Sequence, residues 1–142
     1  MAFWDSSAAI GLCLHQRSTA GARRLIRRDE PLVVWWGTPV EMCSAFARLL
    51  REGAISSAVV DQALSRLKVL RRSWREVLPG DRVRELAESV LFSRSLRGGD
   101  VLQLAAALVW SREAPRKRLF VCYDERLSAA AQDLGFTVAR PV

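Results

Sequence analysis

The chain is poor in histidine, cysteine and lysine, and it has no long apolar stretch. Its one histidine is His15, so neither a histidine-rich metal site nor a base relay of imidazoles can be built. Cys13, Cys43 and Cys122 are odd in number and far apart, with no Cys-x-x-Cys pair. That argues against structural zinc and against a disulfide framework, and a reducing, cytoplasmic setting is the simpler reading. The longest apolar run, in the 101–110 region, is interrupted by Gln103 and is too short to span a bilayer. The opening Met-Ala-Phe-Trp-Asp lacks the basic region and apolar core of a secretory signal. The sequence therefore predicts a soluble protein with no membrane partner. With no internal repeat, low-complexity segment or linker, residues 1–142 read as a single domain.

Lysine occurs only at positions 68 and 117, so arginine carries nearly all of the positive charge behind the net +7. Arginine grips phosphate with a planar, two-pronged fork. A basic surface fits a polyanionic substrate, and it also fits an acidic protein partner.

Half of the residues are apolar, enough for a core in a chain of this size. Short strands are predicted near residues 2–5, at 32–36, at 119–122 and at 136–138. Helices are predicted from Ser6 to about His15, from Thr19 to Arg28 before the break at Asp29-Glu30-Pro31, and after Thr38-Pro39, where Glu41 would complete a capping box. A helix opened by Ser56 or Ser57 carries Val60, Ala63, Leu64, Leu67 and Leu70 inward, with Trp74 as a further core residue, and Pro79-Gly80 ends it. Asp81 would cap the next helix. Gly98-Gly99 precedes a helix over 100–112 that is apolar on nearly every side, hence central. A last helix, striped by Leu127, Ala130, Ala131 and Leu134, closes at Gly135. Short apolar strands joined by helical crossovers imply an α/β fold with a parallel sheet covered on both faces.

In such a sheet ligands bind at the carboxyl ends of the strands. Asp5, Glu41, Asp100 and Asp124 each stand where a strand or loop hands over to a helix. Singly, each could be only a cap or a dipole partner. Together, four carboxylates at one edge would repel one another unless a cation lay between them. Mg²⁺ and Mn²⁺ prefer oxygen ligands, and a bound divalent ion can activate water for attack on phosphorus. By contrast Asp61, Glu76, Asp81, Glu85 and Glu88 are expected within or before helices remote from any strand end.

Four segments in order resemble the PIN-domain family, specifically VapC-type toxin ribonucleases. They are Phe3-Trp4-Asp5-Ser6-Ser7-Ala8, Thr38-Pro39-Val40-Glu41, Leu96-Arg97-Gly98-Gly99-Asp100-Val101-Leu102-Gln103, and Val121-Cys122-Tyr123-Asp124-Glu125-Arg126-Leu127. The resemblance covers essentially the whole chain. It implies a Rossmann-like sheet, an acidic quartet of Asp5, Glu41, Asp100 and Asp124 holding Mg²⁺ or Mn²⁺, a supporting Ser6, and endonucleolytic cleavage of RNA. It also implies a homodimer and a VapB-type antitoxin. Cys122 stands where relatives often have Thr or Ser, and Gln103 where they often have His; neither removes a quartet carboxylate. Arg97, beside the Asp100 turn, is a candidate phosphate contact. Trp35-Trp36 reads as core or partner interface, with base stacking as its functional rival. The run from Arg66 to Arg75 reads as a solvated helix face, and Cys13 and Cys43 as small core residues. Rival readings are a PIN nuclease of RNA maturation or DNA repair, a non-catalytic basic binding module, and a phospho-receiver domain, for which Lys117 lies on the wrong side of its strand.

Overall fold

The computed structural model describes residues 1–15, 19–28 and 31–141. Among the described residues five strands form one sheet: β1 (Ala2–Trp4), β2 (Leu32–Trp35), β3 (Arg75–Val77), β4 (Leu119–Val121) and β5 (Thr137–Ala139). Their spatial order is β3-β2-β1-β4-β5 and every pairing is parallel. The helices are α1 (Ser6–Ala9), α2 (Thr19–Arg28), α3 (Thr38–Arg51), α4 (Ser57–Ser73), α5 (Asp81–Ser93), α6 (Gly98–Trp110) and α7 (Glu125–Leu134).

Period-two alternation explains how so few strand residues build two cores. Phe3, Val33, Trp35 and Phe120 face one side, where they pack with α5, α6 and α7. Ala2, Trp4, Leu32, Val34 and Val121 face the other, against α1, α2, α3 and α4. Phe120 lies between Phe3 and Phe136, with ring centroids 5.5 and 5.6 Å away. The run Leu104-Ala105-Ala106-Ala107 is fully buried, and its small side chains let α6 lie close on the central strands. Gly135 ends α7 with φ 110°, a left-handed turn that a side chain resists.

The chain departs from its sequence-based reading in several places, among them Leu64, read as inward on α4 but 42 % exposed. The helix expected from Ser6 to His15 stops at Ala9 and tightens into a 3-10 turn over Ile10–Leu12. Cys13 and Leu14 then turn into the core, and His15 is exposed outside any helix. Residues 75–77, read as the end of a helix, form the edge strand β3, so Glu76 lies within the sheet. Trp74 is buried as expected, but as the residue that ends α4, its Nε1 donating to Glu76 at 2.9 Å. Gly37 and Gly80, rather than Thr38 and Asp81, occupy the caps of α3 and α5, and Glu41 makes no capping box. Finally, Trp35 is buried whereas Trp36 is about half exposed (52 %). The expected break at Asp29-Glu30 lies outside the described residues. The run of arginines on α4 is exposed as expected, except that Arg66 reaches back to the Cys13 carbonyl at 2.9 Å.

Deleting the Phe120 ring empties the centre of one core. Phe120→Ala should cost about 3–5 kcal/mol, read as a fall in the urea midpoint at unchanged m-value. Phe92→Ala, at a fully exposed ring (96 %), should stay within about 0.5 kcal/mol of wild type.

Candidate active site

Parallel pairing brings the carboxyl ends of β1, β2 and β4 to one edge. Asp5 directly follows β1, and its N–H continues the ladder to the Val121 carbonyl at 3.0 Å. Asp124 follows β4 and caps α7, its Oδ1 accepting from the Leu127 N–H at 2.8 Å. Glu41 lies one turn into α3, the helix after β2. Asp100 lies in the first turn of α6. The start of α3 is set by a close approach: a Cβ on Gly37 would stand 2.5 Å from the Trp35 ring nitrogen.

Each acid is held by specific partners. Asp5 is buried and caps α1, with its Oδ2 accepting from both the N–H and the hydroxyl of Ser7. Ser7 Oγ in turn accepts from the Tyr123 N–H at 3.0 Å, tying α1 to the segment after β4. Ser6 Oγ donates to Glu41 Oε2 at 2.6 Å. The same oxygen accepts from Gln103 Nε2 at 3.1 Å, and Gln103 also donates to Thr38 Oγ1 at 3.0 Å. These bonds explain why Glu41 does not cap its own helix. A Cβ on Gly99 would stand 3.6 Å from Glu41 Oε1, so α3 and the start of α6 meet at this carboxylate. Gln103 is fully buried, and its Oε1 has no partner.

The acids act on one another. Burial raises the Asp5 carboxyl from 3.8 to about 6; the Ser7 bonds oppose the rise, and the charges of Glu41 and Asp100 add to it. Asp100 is also raised, first by burial and then by the charges of Asp124 and Glu41, with Arg97 opposing. The two ends of the quartet are thus coupled through Asp100. Cys122 is buried beneath them, its Sγ 3.6 Å from Asp5 Oδ2, 3.4 Å from the Asp124 carbonyl and 3.9 Å from Ser7 Oγ. Burial and the Asp5 charge push its thiol up to about 12, so it stays protonated and a weak donor. Among the described residues no three His, Cys, Asp or Glu side chains already form a cage around one point. Asp100 and Asp124 line a cavity of about 560 Å³ together with Arg97 and Arg126.

Ser6 was singled out in the sequence. Ser7, Thr38 and Gln103 were not assigned these bonds. Their only local signal is position: Ser7 two residues past Asp5, and Gln103 one turn past Asp100.

No family model and no curated protein matches the sequence. Solved structures do resemble the fold. One is a toxin–antitoxin complex from Klebsiella pneumoniae, 15 % identical, with a TM-score of 0.64 over 100 % of this chain and 98 % of that one. Another is Mycobacterium tuberculosis VapC20, a toxin that cleaves the sarcin–ricin loop, 21 % identical, with a TM-score of 0.66 over 99 % of this chain and 100 % of that one. The α/β fold with its parallel sheet is therefore shared with a VapC toxin along the whole length. No helix among the described residues is long and apolar enough to cross a membrane.

The raised Asp5 pKa has a measurable consequence in protein free of divalent ions. Between the unfolded value of 3.8 and the folded value of about 6, the native state binds more protons than the unfolded chain. This carboxyl therefore costs stability as pH rises through that window, by an amount on the order of 2–3 kcal/mol once it is fully ionised. Asp5→Asn should gain on wild type by about that much between pH 4 and pH 7 in chemical denaturation. A difference that stays flat across this range would contradict the burial and repulsion described.

Proposed function

We propose that this chain is a divalent-metal-dependent endoribonuclease, acting as the toxin of a toxin–antitoxin pair. The observation that carries the reading is the chain of charge coupling that joins Asp5 to Glu41 and Asp100, and Asp100 to Asp124, at the carboxyl edge of a sheet shared with VapC20. Proteins with that fold include an RNA-cleaving toxin and a toxin bound to its antitoxin.

The donor set fits Mg²⁺ or Mn²⁺. It offers carboxylate oxygens without imidazole, and a hard ion that keeps several waters needs only a few of them. Burial first, and repulsion after it, raises Asp5 and Asp100, and a cation held among the four acids would offset both. When bound, such an ion supplies an activated water and neutralises charge at the phosphorus.

The protein residues divide the remaining work. Ser6 and Gln103 fix one oxygen of Glu41 and leave Oε1 turned toward the start of α6. Ser7 fixes one oxygen of Asp5. Asp124 spends Oδ1 on its helix and keeps Oδ2 for the site. Arg97 opposes the charge of Asp100 and can hold a substrate phosphate. A homodimer and a VapB-type antitoxin are part of the same proposal, supported by the toxin–antitoxin likeness. A non-catalytic module is the rival reading, favoured only because Asp5 and Asp124 do act as helix caps.

Purified wild type should cut single-stranded RNA with Mg²⁺ or Mn²⁺ and stop cutting in excess EDTA. Loss of an outer support of a metal site costs about 10–100-fold in activity, so Gln103→Ala should fall in that range. Asp5→Asn and Asp100→Asn should lose at least about 100-fold. If wild type cuts no RNA with either metal while both Asn variants bind RNA as wild type does, the capping reading replaces this one.

A further inference from the structure

The cavity beside Asp100 and Asp124 is not closed. It shares Ser95, Leu96 and Arg126 with a second cavity of about 510 Å³, whose far wall carries Arg94 and Asp133. The two make one groove. Residues 94–97, between α5 and α6, form one bank, and the start of α7 forms the other. Arg97 and Arg126 are exposed, and among the described residues neither forms an ion pair. Arg94, at the far end, is instead tied to Asp133 at 2.5 Å. The free cations thus stand next to the acids, and the charge is already balanced further out.

We propose that this groove is the track for the RNA strand on one side of the cleaved bond, with Arg126 holding the phosphate adjacent to it. The inference rests on the nuclease reading. A polyanion meets repulsion over four carboxylates, so its neighbouring phosphates need compensation close by. Arg126 stands two residues past Asp124, on the first turn of the helix that Asp124 caps. The carboxylate and the guanidinium are therefore fixed on one rigid element, and a guanidinium binds phosphate through two parallel hydrogen bonds. Ser95 adds a hydroxyl from the facing bank. The Arg94–Asp133 pair marks the end of the track, so the footprint on this side is short. An acidic protein segment is the other polyanion such a groove could take. The direct junction with the acid centre favours RNA, whose reacting phosphate must reach that centre.

The test is fluorescence anisotropy with a labelled single-stranded RNA at several salt concentrations, without divalent ions, so that binding is read apart from cleavage. Arg126→Ala should weaken binding about tenfold and flatten the plot of log K against log salt by about 0.7, one phosphate contact on a single strand. Arg126→Lys should keep the slope and lose part of the affinity. Arg51→Ala, at the end of α3 remote from the acids, should match wild type. Where divalent metal is present, Arg126→Ala should raise KM at little change in kcat. An unchanged affinity and slope in Arg126→Ala overturns the groove, while wild-type cleavage that is lost in Asp100→Asn keeps the nuclease reading. Poly-glutamate binding that disappears in Arg126→Ala while RNA affinity is untouched assigns the groove to an acidic protein and also overturns the proposal.

Discussion

The structure turns on a carboxyl group that folding buries within reach of like charges. Asp5 is buried at the end of the central strand, and its neighbours in charge are Glu41 and Asp100. In water such groups would separate. Here β1 and the starts of α3, α6 and α7 fix where each acid stands, and the apolar cores on both faces of the sheet hold that arrangement. The cost is confined to a few carboxyl groups, while the stabilising burial is spread over two clusters. A site of this kind is stable enough to persist and is eased by positive charge.

The supports around three of the four acids follow a single rule: one carboxylate oxygen is tied, and the other is left. Ser7 ties Asp5, Ser6 and Gln103 tie Glu41, and a helix N–H ties Asp124. Capping and ligand roles therefore do not compete, because a carboxylate has enough lone pairs for both. Cys122 fits the same scheme at lower strength. Its sulfur reaches Asp5 and the Asp124 carbonyl at distances suited to a weak S–H donor, and the Ser7 hydroxyl supplies the stronger bond at the same Asp5 oxygen.

Most of the sheet was legible because its three inner strands are nearly all apolar and short. So was α6, since a helix apolar on every side has nowhere to lie except between layers. The edge strand β3 was not. Arg75-Glu76-Val77 has no strand pattern, and its conformation comes from pairing with Val33, Val34 and Trp35, residues some forty positions earlier. Tertiary pairing overrode a local helical continuation. The four acids were picked out by position where a strand or loop hands over to a helix, and the capping box also read at Glu41 does not form. Only the fold could show that Ser6 and Gln103, 35 and 62 residues away, would take its oxygen.

Charge then acts on two length scales. Over the whole surface the excess of arginine attracts polyanions from a distance of about a Debye length, roughly 8 Å at physiological salt. Close to the acids the sign reverses, and general attraction no longer suffices. What matters there is where individual guanidinium groups stand relative to single carboxylates: Arg97 three residues before Asp100, Arg126 two after Asp124. Such pairs neutralise little of the acid field beyond their own flank. On the proposed nuclease reading they would hold a neighbouring phosphate without displacing a cation held among the acids.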